Sequence, residues 1–415
     1  MGMHISPWLC LRCKGRLFCG ERSCRVLDKY ARMRETTSKM HGTSFSGSSP
    51  PSIFVSWHSY PKITLSPLSP PEIMDFSRAE FLDNPEKWFG LPSQQIVSYR
   101  EQLIRGSKPF DASDASNPNR ALAEVQELAM SASPVDIDVE LSRRPEAKLS
   151  FSDSSPPMGP SAPLKSLVLS GTPDVPTKVD YLVGDTDAKS ATAMLELYGH
   201  NLPVHYLYKI LSAGLLGVKK NRKLVPTRWA ITAADSNISN VLVERIRSCQ
   251  QLQEIRLFRS SYLDNHFFVL LVPGAWAFEQ LEAWSPGSSW AGEAKDVMIS
   301  ADHEFYRGRT TYADNVTGAY YSARLAVAEY LEKSRRQASC IVFREIGGKY
   351  DVPLGVWVIR QTMRDAMGKK PLAFSDINLA LAYISTKLSV PMGAYKKKSA
   401  LLDSIKNQKR IVEWF

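Results

Sequence analysis

Four cysteines fall within fifteen residues near the start of this 415-residue chain. Cys10, Cys13, Cys19 and Cys24 follow the spacing C-x2-C-x5-C-x4-C. Four thiolates so close together can close a tetrahedral zinc site. Such a site has no open position, so its expected role is structural rather than catalytic. Reduced, unliganded thiols are the plain alternative, and a redox or iron–sulfur role is a third. The other two cysteines, Cys249 and Cys340, stand alone. Between Cys10 and Glu35 there are eight Lys or Arg against three Asp or Glu. Arg12, Lys14, Arg16, Arg22 and Arg25 can contact phosphates, as in a nucleic-acid interface, or can form a solvated basic face.

A second set of polar residues sits where strands are expected to end. Asp235 ends "WAITAAD", Asp302 and Glu304 lie in "SADHEFYRGR" with Arg307 and Arg309, and Glu345 ends "CIVFRE". Strand ends in α/β proteins converge on ligand sites. Gathered carboxylates there would hold Mg2+ or Mn2+ for phosphodiester cleavage, and the paired arginines would grip phosphate. Helix capping and loop-holding ion pairs are the structural alternative for each. No Walker, nuclease or nucleophile-elbow motif supports catalysis. Ser285–Trp290 reads as a turn, and His266 and His303 lack an evident partner. The Ser154–Pro163 loop either offers backbone N–H groups to an anion or is a proline-stiffened connection.

The elements that must position these groups alternate. Strands are expected at Leu164–Leu169, Asp180–Val183, Arg228–Thr232, Glu254–Arg259, Phe267–Val272 and Cys340–Arg344. Helices are expected at Asp187–Tyr198, Val204–Ala213, Val241–Cys249, Ala319–Glu332 and Asp376–Lys387. Earlier in the chain, Gln94–Ile104 is amphipathic, and Arg120–Met130 follows a cap-like Asn117-Pro118. Interleaved strands and helices argue an α/β layered core, with mixed α+β as the variant. Four regions follow from composition: a basic four-cysteine zinc module over 1–35; a Ser/Pro-rich extended segment with helices packed on the core over 36–163; the α/β core over 164–395; and a basic tail over 396–415. Within the second, Ile53–Val55 reads as a short strand.

Lys and Arg number 52 against 42 Asp and Glu, a net charge of +10. That excess favours polyanionic partners such as nucleic acid. No run reaches the roughly 18 apolar residues a membrane span needs. The longest, Phe267–Phe278, is interrupted by Pro273 and Gly274. No secretory signal is evident, so a cytoplasmic protein is expected.

The last eight residues read Gln408-Lys409-Arg410-Ile411-Val412-Glu413-Trp414-Phe415. One tight helical turn brings Ile411, Trp414 and Phe415 to one side, with Gln408 as a hydrogen-bonding foot. The pattern resembles the peptide by which proteins dock on the DNA sliding clamp, PCNA. A terminal helix packed on the protein's own core is the alternative.

With both ends in view, the chain resembles the archaeal Nre family of DNA repair proteins, NreA type. The resemblance is carried by "CLRCKGRLFCGERSC", "SPPSIFVSWHSYPKI", "SFSDSSPPMGPSAPLKSL", "RWAITAADS", "EAWSPGSSW", "YYSARLAVAEYLEKSRRQASCIVFREI" and "PLGVWVIRQTMRDA". It departs at "FVSWHSYP", where a glycine-rich run is expected. The resemblance implies DNA repair coupled to the clamp. It leaves open a metal-dependent nuclease or nucleotide-handling enzyme, and a repair adaptor without chemistry.

Overall fold

The structure, a computed structural model, describes residues 13, 16–18, 20, 24–146, 158–285, 297–350 and 352–407, without the side chains of 25 and 26. The chain forms two compact units. One spans Ser6–Ile238; the other comprises Met1–Ile5 and Ser239–Phe415. The boundary at Ile238/Ser239 falls inside a helix, not at the compositional break near residue 163.

The first unit is built on a six-stranded mixed sheet. Its strands are β1 (Ser44–Ser49), β2 (Ser52–Val55), β3 (Lys62–Ser69), β4 (Ile104–Asp111), β5 (Val135–Leu141) and β6 (Ser161–Leu169). The order is β1-β5-β6-β4-β3-β2, with only β4 and β6 parallel. β5 reads VDIDVEL, and its strict alternation puts Val135, Ile137, Val139 and Leu141 on the buried face. Phe45, Ile104, Leu164 and Leu167 join them. The segment over 36–74 is therefore not extended chain laid on a core; its three strands are part of the sheet.

Eight helices accompany this sheet among the described residues: α1 (Arg25–Ser38), α2 (Phe76–Phe81), α3 (Ser93–Glu101), α4 (Arg120–Met130), α5 (Thr177–Gly184), α6 (Ser190–Gly199), α7 (Val204–Ser212) and α8 (Thr227–Arg247). The last runs on into the second unit. Two of them correct the sequence reading. Asp180–Val183 lies in α5, where Pro176 precedes the first turn and Val179 and Leu182 are buried three apart. Arg228–Thr232 lies in α8, where Ala230, Ala234 and Ile238 are buried at four-residue spacing. Both apolar runs have helical periodicity.

The second unit holds another six-stranded sheet and a two-stranded ribbon. The strands are β7 (Gln250–Gln251), β8 (Ile255–Tyr262), β9 (Asn265–Val272), β10 (Ala277–Trp284), β11 (Met298–Glu304), β12 (Arg336–Gln337), β13 (Ser339–Ile346) and β14 (Leu372–Phe374). The large sheet runs β11-β10-β13-β9-β8-β14, and β7 pairs with β12. One face packs on α11 (Ile377–Ser385), α12 (Met392–Lys398) and α13 (Ala400–Asn407) through Leu270, Leu281, Ile341 and Phe343. The other face meets α9 (Gly318–Ser334) and α10 (Trp357–Met367), with Phe278 edge-on to Tyr320 and Phe258 edge-on to Tyr330. A layered, mixed α/β architecture is thus present in both units. Among the described residues, no helix is long and apolar enough to cross a membrane.

Candidate functional site

Asp302 and Glu345, two of the carboxylates singled out from the sequence, do not meet. Asp302 pairs in register with Gln280 of β10, and Glu345 pairs with Ala283 of the same strand. An odd offset of three residues along β10 puts Asp302 and Glu345 on opposite faces of the sheet. Each serves its own surroundings. Asp302 accepts the backbone N–H groups of Asn315 at 2.9 Å and Val316 at 2.8 Å, and faces Arg309 at 3.2 Å. Arg309 is spent on the same loop, donating to the carbonyls of His303 and Tyr312, each at 2.8 Å. Glu304 accepts from Trp276 Nε1 at 2.8 Å and Arg324 Nε at 2.9 Å. Glu345 accepts from the N–H groups of Ser389 and Val390 at 3.0 and 2.9 Å. Arg307 is exposed. Asp235 is buried in α8 within the first unit, not at a strand end.

The two histidines sit in different surroundings. Burial and then Arg309 hold His303 below the usual imidazole value. His266 lies 2.9 Å from Ser261 Oγ and 3.3 Å from Asp264. Among the described residues, no three His, Cys, Asp or Glu side chains gather as metal ligands.

The two terminal sites expected from the sequence fall largely outside the described residues. Cys10, Cys19, Arg12, Lys14 and Arg22 lie there, as do Gln408, Ile411, Trp414, Phe415 and the side chain of Arg25. Cys13 and Cys24 are described. Cys13 is buried, and its Sγ accepts the Phe18 N–H at 3.2 Å. The intervening turn bonds Arg16 N–H to the Cys13 carbonyl at 2.9 Å and carries Leu17 at a positive φ of 60°. Arg16 is exposed, and Cys24 sits at the N-terminus of α1.

Two features of the first unit go beyond the sequence reading. The first is a solvent-facing cluster of rings. The turn between β2 and β3 presents Trp57, His58 and Tyr60, and the first turn of α8 presents Arg228 and Trp229. Trp57, Tyr60 and Trp229 are 41%, 39% and 44% exposed, unusual values for such large apolar groups. Trp57 stacks on His58 with centroids 4.4 Å apart, and Tyr60 lies 5.0 Å from Trp229. The Arg228 guanidinium sits 5.7 Å from the Trp57 ring centre. Val55 N–H bonds to Thr227 Oγ1 at 2.9 Å, which pins the start of α8 to the end of β2. The cluster offers flat π-faces beside a cation, suited to stacking on planar groups.

The second feature is a cleft of about 260 Å3 at the other end of β2. Pro50, Pro51 and Ser52 form one wall, and α7 supplies His205, Tyr206 and Lys209. Ser52 Oγ donates to the Asp83 carboxylate, whose other oxygen lies 3.6 Å from Arg100. Lys87 Nζ and Asn84 Nδ2 both donate to Glu80, at 2.5 and 2.8 Å. His205 Nδ1 is buried without a hydrogen bond, 3.7 Å from Glu86. Lys209 Nζ donates to the Ser131 carbonyl at 2.8 Å and lies 4.4 Å from the Tyr206 ring centre. Among the described residues it makes no ion pair. Burial pushes its pKa down to about 7, against a weaker upward pull from Asp83.

Helix α7 fixes Lys209 through its apolar face. Tyr206, Leu207, Ile210 and Leu211 are buried, and the Tyr206 hydroxyl donates to the Met130 carbonyl. Gly214 follows the Ala213 C-cap of this helix, with φ at +71° and a built Cβ only 2.4 Å from Ala115 Cβ, so only glycine fits. The signal available in the sequence is a lysine three residues after Tyr206 in "VHYLYKILS". The ring cluster is legible only as two separate strings far apart in the chain, "FVSWHSYP" and "RWAIT", which the fold brings together.

Comparison with known proteins bears on the whole chain. The family model described as Archaeal Nre, N-terminal, matches residues 18–291, and that described as Archaeal Nre, C-terminal, matches residues 304–414. The chain is 36% identical over 393 residues to the DNA repair protein NreB of Archaeoglobus fulgidus, covering 95% of this chain and 96% of that one. It is 36% identical over 379 residues to the DNA repair protein NreA of the same organism, covering 91% and 93%. It is 32% identical over 399 residues to the DNA repair protein NreA of Haloferax volcanii, covering 94% of each. No solved structure matches the chain. The chain therefore belongs to the archaeal Nre family.

Proposed function

We propose that this chain is a DNA repair factor that holds unpaired nucleotides on the Trp57–Tyr60–Trp229 cluster and is recruited to the sliding clamp by Gln408–Phe415. The carrying observation is the cluster itself: three exposed rings with Arg228 beside them. Base–aromatic stacking contributes about 1–3 kcal/mol per base and tolerates any sequence. The net charge of +10 favours the same polyanion. The relatives' names, DNA repair proteins, support the setting.

The terminal peptide supplies location. It follows α13, whose Leu401 and Leu402 are buried against the second sheet, so the docking residues come directly after an anchored helix. Tethering raises the effective concentration of the core near DNA without any new contact in the core. Cys10, Cys13, Cys19 and Cys24 hold a structural zinc ion in this reading. The Phe18 N–H donated to Cys13 Sγ gives one of these sulfurs a backbone donor, as a metal-bound sulfur would accept.

The test is fluorescence anisotropy with a single-stranded oligonucleotide. Trp57→Ala with Trp229→Ala should weaken binding at least tenfold; unchanged affinity removes the proposed DNA surface. Clamp docking is read separately by calorimetry, where Trp414→Ala should cost about 2 kcal/mol or more. Elemental analysis of protein purified without chelator should find one zinc per chain, lost in Cys13→Ser.

A further inference from the structure

Lys209 stands out among the half-buried cations of the first unit. It lines a cleft, and its Nζ is held by a neutral carbonyl rather than by a carboxylate. No carboxylate is in direct contact with this amine, and the upward pull of Asp83 is weaker than the effect of burial, which favours the neutral form with its lone pair available. The downward shift of its pKa to about 7 agrees with that placement. The same cleft carries proton-transfer groups: Asp83 with Ser52 across from the helix, and Glu86 with the His205 nitrogen, which is without a hydrogen bond one turn before Lys209.

The occupant follows from size and charge. A volume of about 260 Å3 is below that of a pocket for a drug-sized molecule and suits one sugar-sized group. Glu80, Asp83 and Glu86 line the same cleft and disfavour a phosphate inside it. A neutral electrophile is the matching class, and the reaction open to a neutral amine without oxidant or reductant is addition to a carbonyl.

We propose that Lys209 is a nucleophile that forms a Schiff base with the aldehyde of an abasic deoxyribose in DNA. The Nζ lone pair attacks the carbonyl carbon of the ring-opened sugar, forming a C–N bond as the C=O π pair moves to oxygen. That oxygen gains a proton, and the nitrogen loses one, giving a carbinolamine. A second proton on the oxygen lets it leave as water while the nitrogen lone pair forms C=N, and the iminium then returns its N–H proton to the base that supplied it. Amine plus aldehyde give imine plus water, and the balance closes with no further reactant. His205 with Glu86, and Asp83 with Ser52, move the protons; Tyr206 and Ser131 position the amine. The phosphates stay outside the acidic cleft.

The identity of the aldehyde rests on the DNA reading above, and the experiment separates the two. Full-length protein is mixed with an end-labelled single-stranded oligonucleotide carrying one abasic site, and sodium borohydride is added near neutral pH. The expected result is a covalent adduct on a denaturing gel, absent when the abasic sugar is reduced to its alcohol beforehand. Peptide mapping should place the adduct on Lys209, and Lys209→Arg and Lys209→Met should each lower its yield at least tenfold. Wild-type protein that binds the oligonucleotide by anisotropy but yields no adduct, or an adduct mapped to another lysine, overturns the proposal. Mapping on the wild type decides even if both variants fail to fold. If the oligonucleotide neither binds nor is trapped, the DNA reading fails. Glyceraldehyde with cyanoborohydride then reads the amine alone: modification of Lys209 ahead of surface lysines supports the nucleophile, and even labelling overturns it.

Discussion

Glu279 of β10 accepts the backbone N–H of Ala400 at 2.7 Å, and so caps α13 with a carboxylate from the middle of the second sheet. Its other oxygen takes the Ser399 hydroxyl and, at 3.3 Å, the Leu401 N–H. Burial raises the Glu279 pKa, while these three donors pull it back down. Glu279→Ala leaves the donors at this helix start without their acceptor, which costs about 1–3 kcal/mol. Urea unfolding should register that loss. Amide hydrogen exchange at Ala400 and Leu401 should quicken more than exchange in β13.

A buried polar set on the same sheet gives a second expectation. Arg344 bonds to Glu282 at 2.6 Å and to Asn265 Oδ1 at 2.6 and 3.1 Å, and Gln280 adds a bond to Glu282 at 2.8 Å. Glu282→Ala strands a guanidinium in the interior and should destabilise by about 3–5 kcal/mol. Adding Arg344→Met removes the orphaned charge, so the double variant should recover part of the loss. Thermal unfolding of the four proteins in the cycle measures the recovery.

The strands of this second sheet are the most legible part of the fold. Phe267–Val272 and Cys340–Arg344 are largely apolar or β-branched runs, as buried strands should be. β10 escapes a sequence reading because Glu279, Gln280 and Glu282 interrupt its apolar pattern, and all three are buried. β1 escapes it because SFSGSS carries little strand propensity, and its partner β5 dictates its pairing. α5 and α8 pass for strands where short apolar runs hide a three- or four-residue period. Asp302 and Glu345 part for a different reason. Proximity to a strand end says nothing about which face a side chain takes, and one odd offset along β10 separates Asp302 from Glu345.

Asp302 is accordingly a loop anchor. Asp302→Ala removes the acceptor for the Asn315 and Val316 N–H groups and the partner of Arg309. The expected cost is about 1–3 kcal/mol of stability. Affinity for a single-stranded oligonucleotide should stay within twofold of wild type. A tenfold fall in affinity at unchanged stability would return Asp302 to a functional role.

Lys209 makes stability depend on pH in a defined direction. Its folded pKa of about 7 lies below the ordinary lysine value of 10.5. Between those values the unfolded chain binds more protons than the folded one, so unfolding free energy rises with pH across the window. The contribution is complete above 10.5 and is lost as pH falls through about 7. Lys209→Met should flatten this slope relative to wild type, read from urea midpoints at intervals across that window.

Strand β2 joins the two features of the first unit. Ser52 opens the strand at the cleft, and Trp57 follows two residues beyond its end at Val55. Five residues of extended chain span about 15 Å. The spacing between ring cluster and amine is therefore a molecular ruler cut into the backbone. A lengthened β2 would shift which nucleotide, counted from the gripped bases, arrives opposite Lys209, and the chemistry would move along the strand with its intrinsic rate intact.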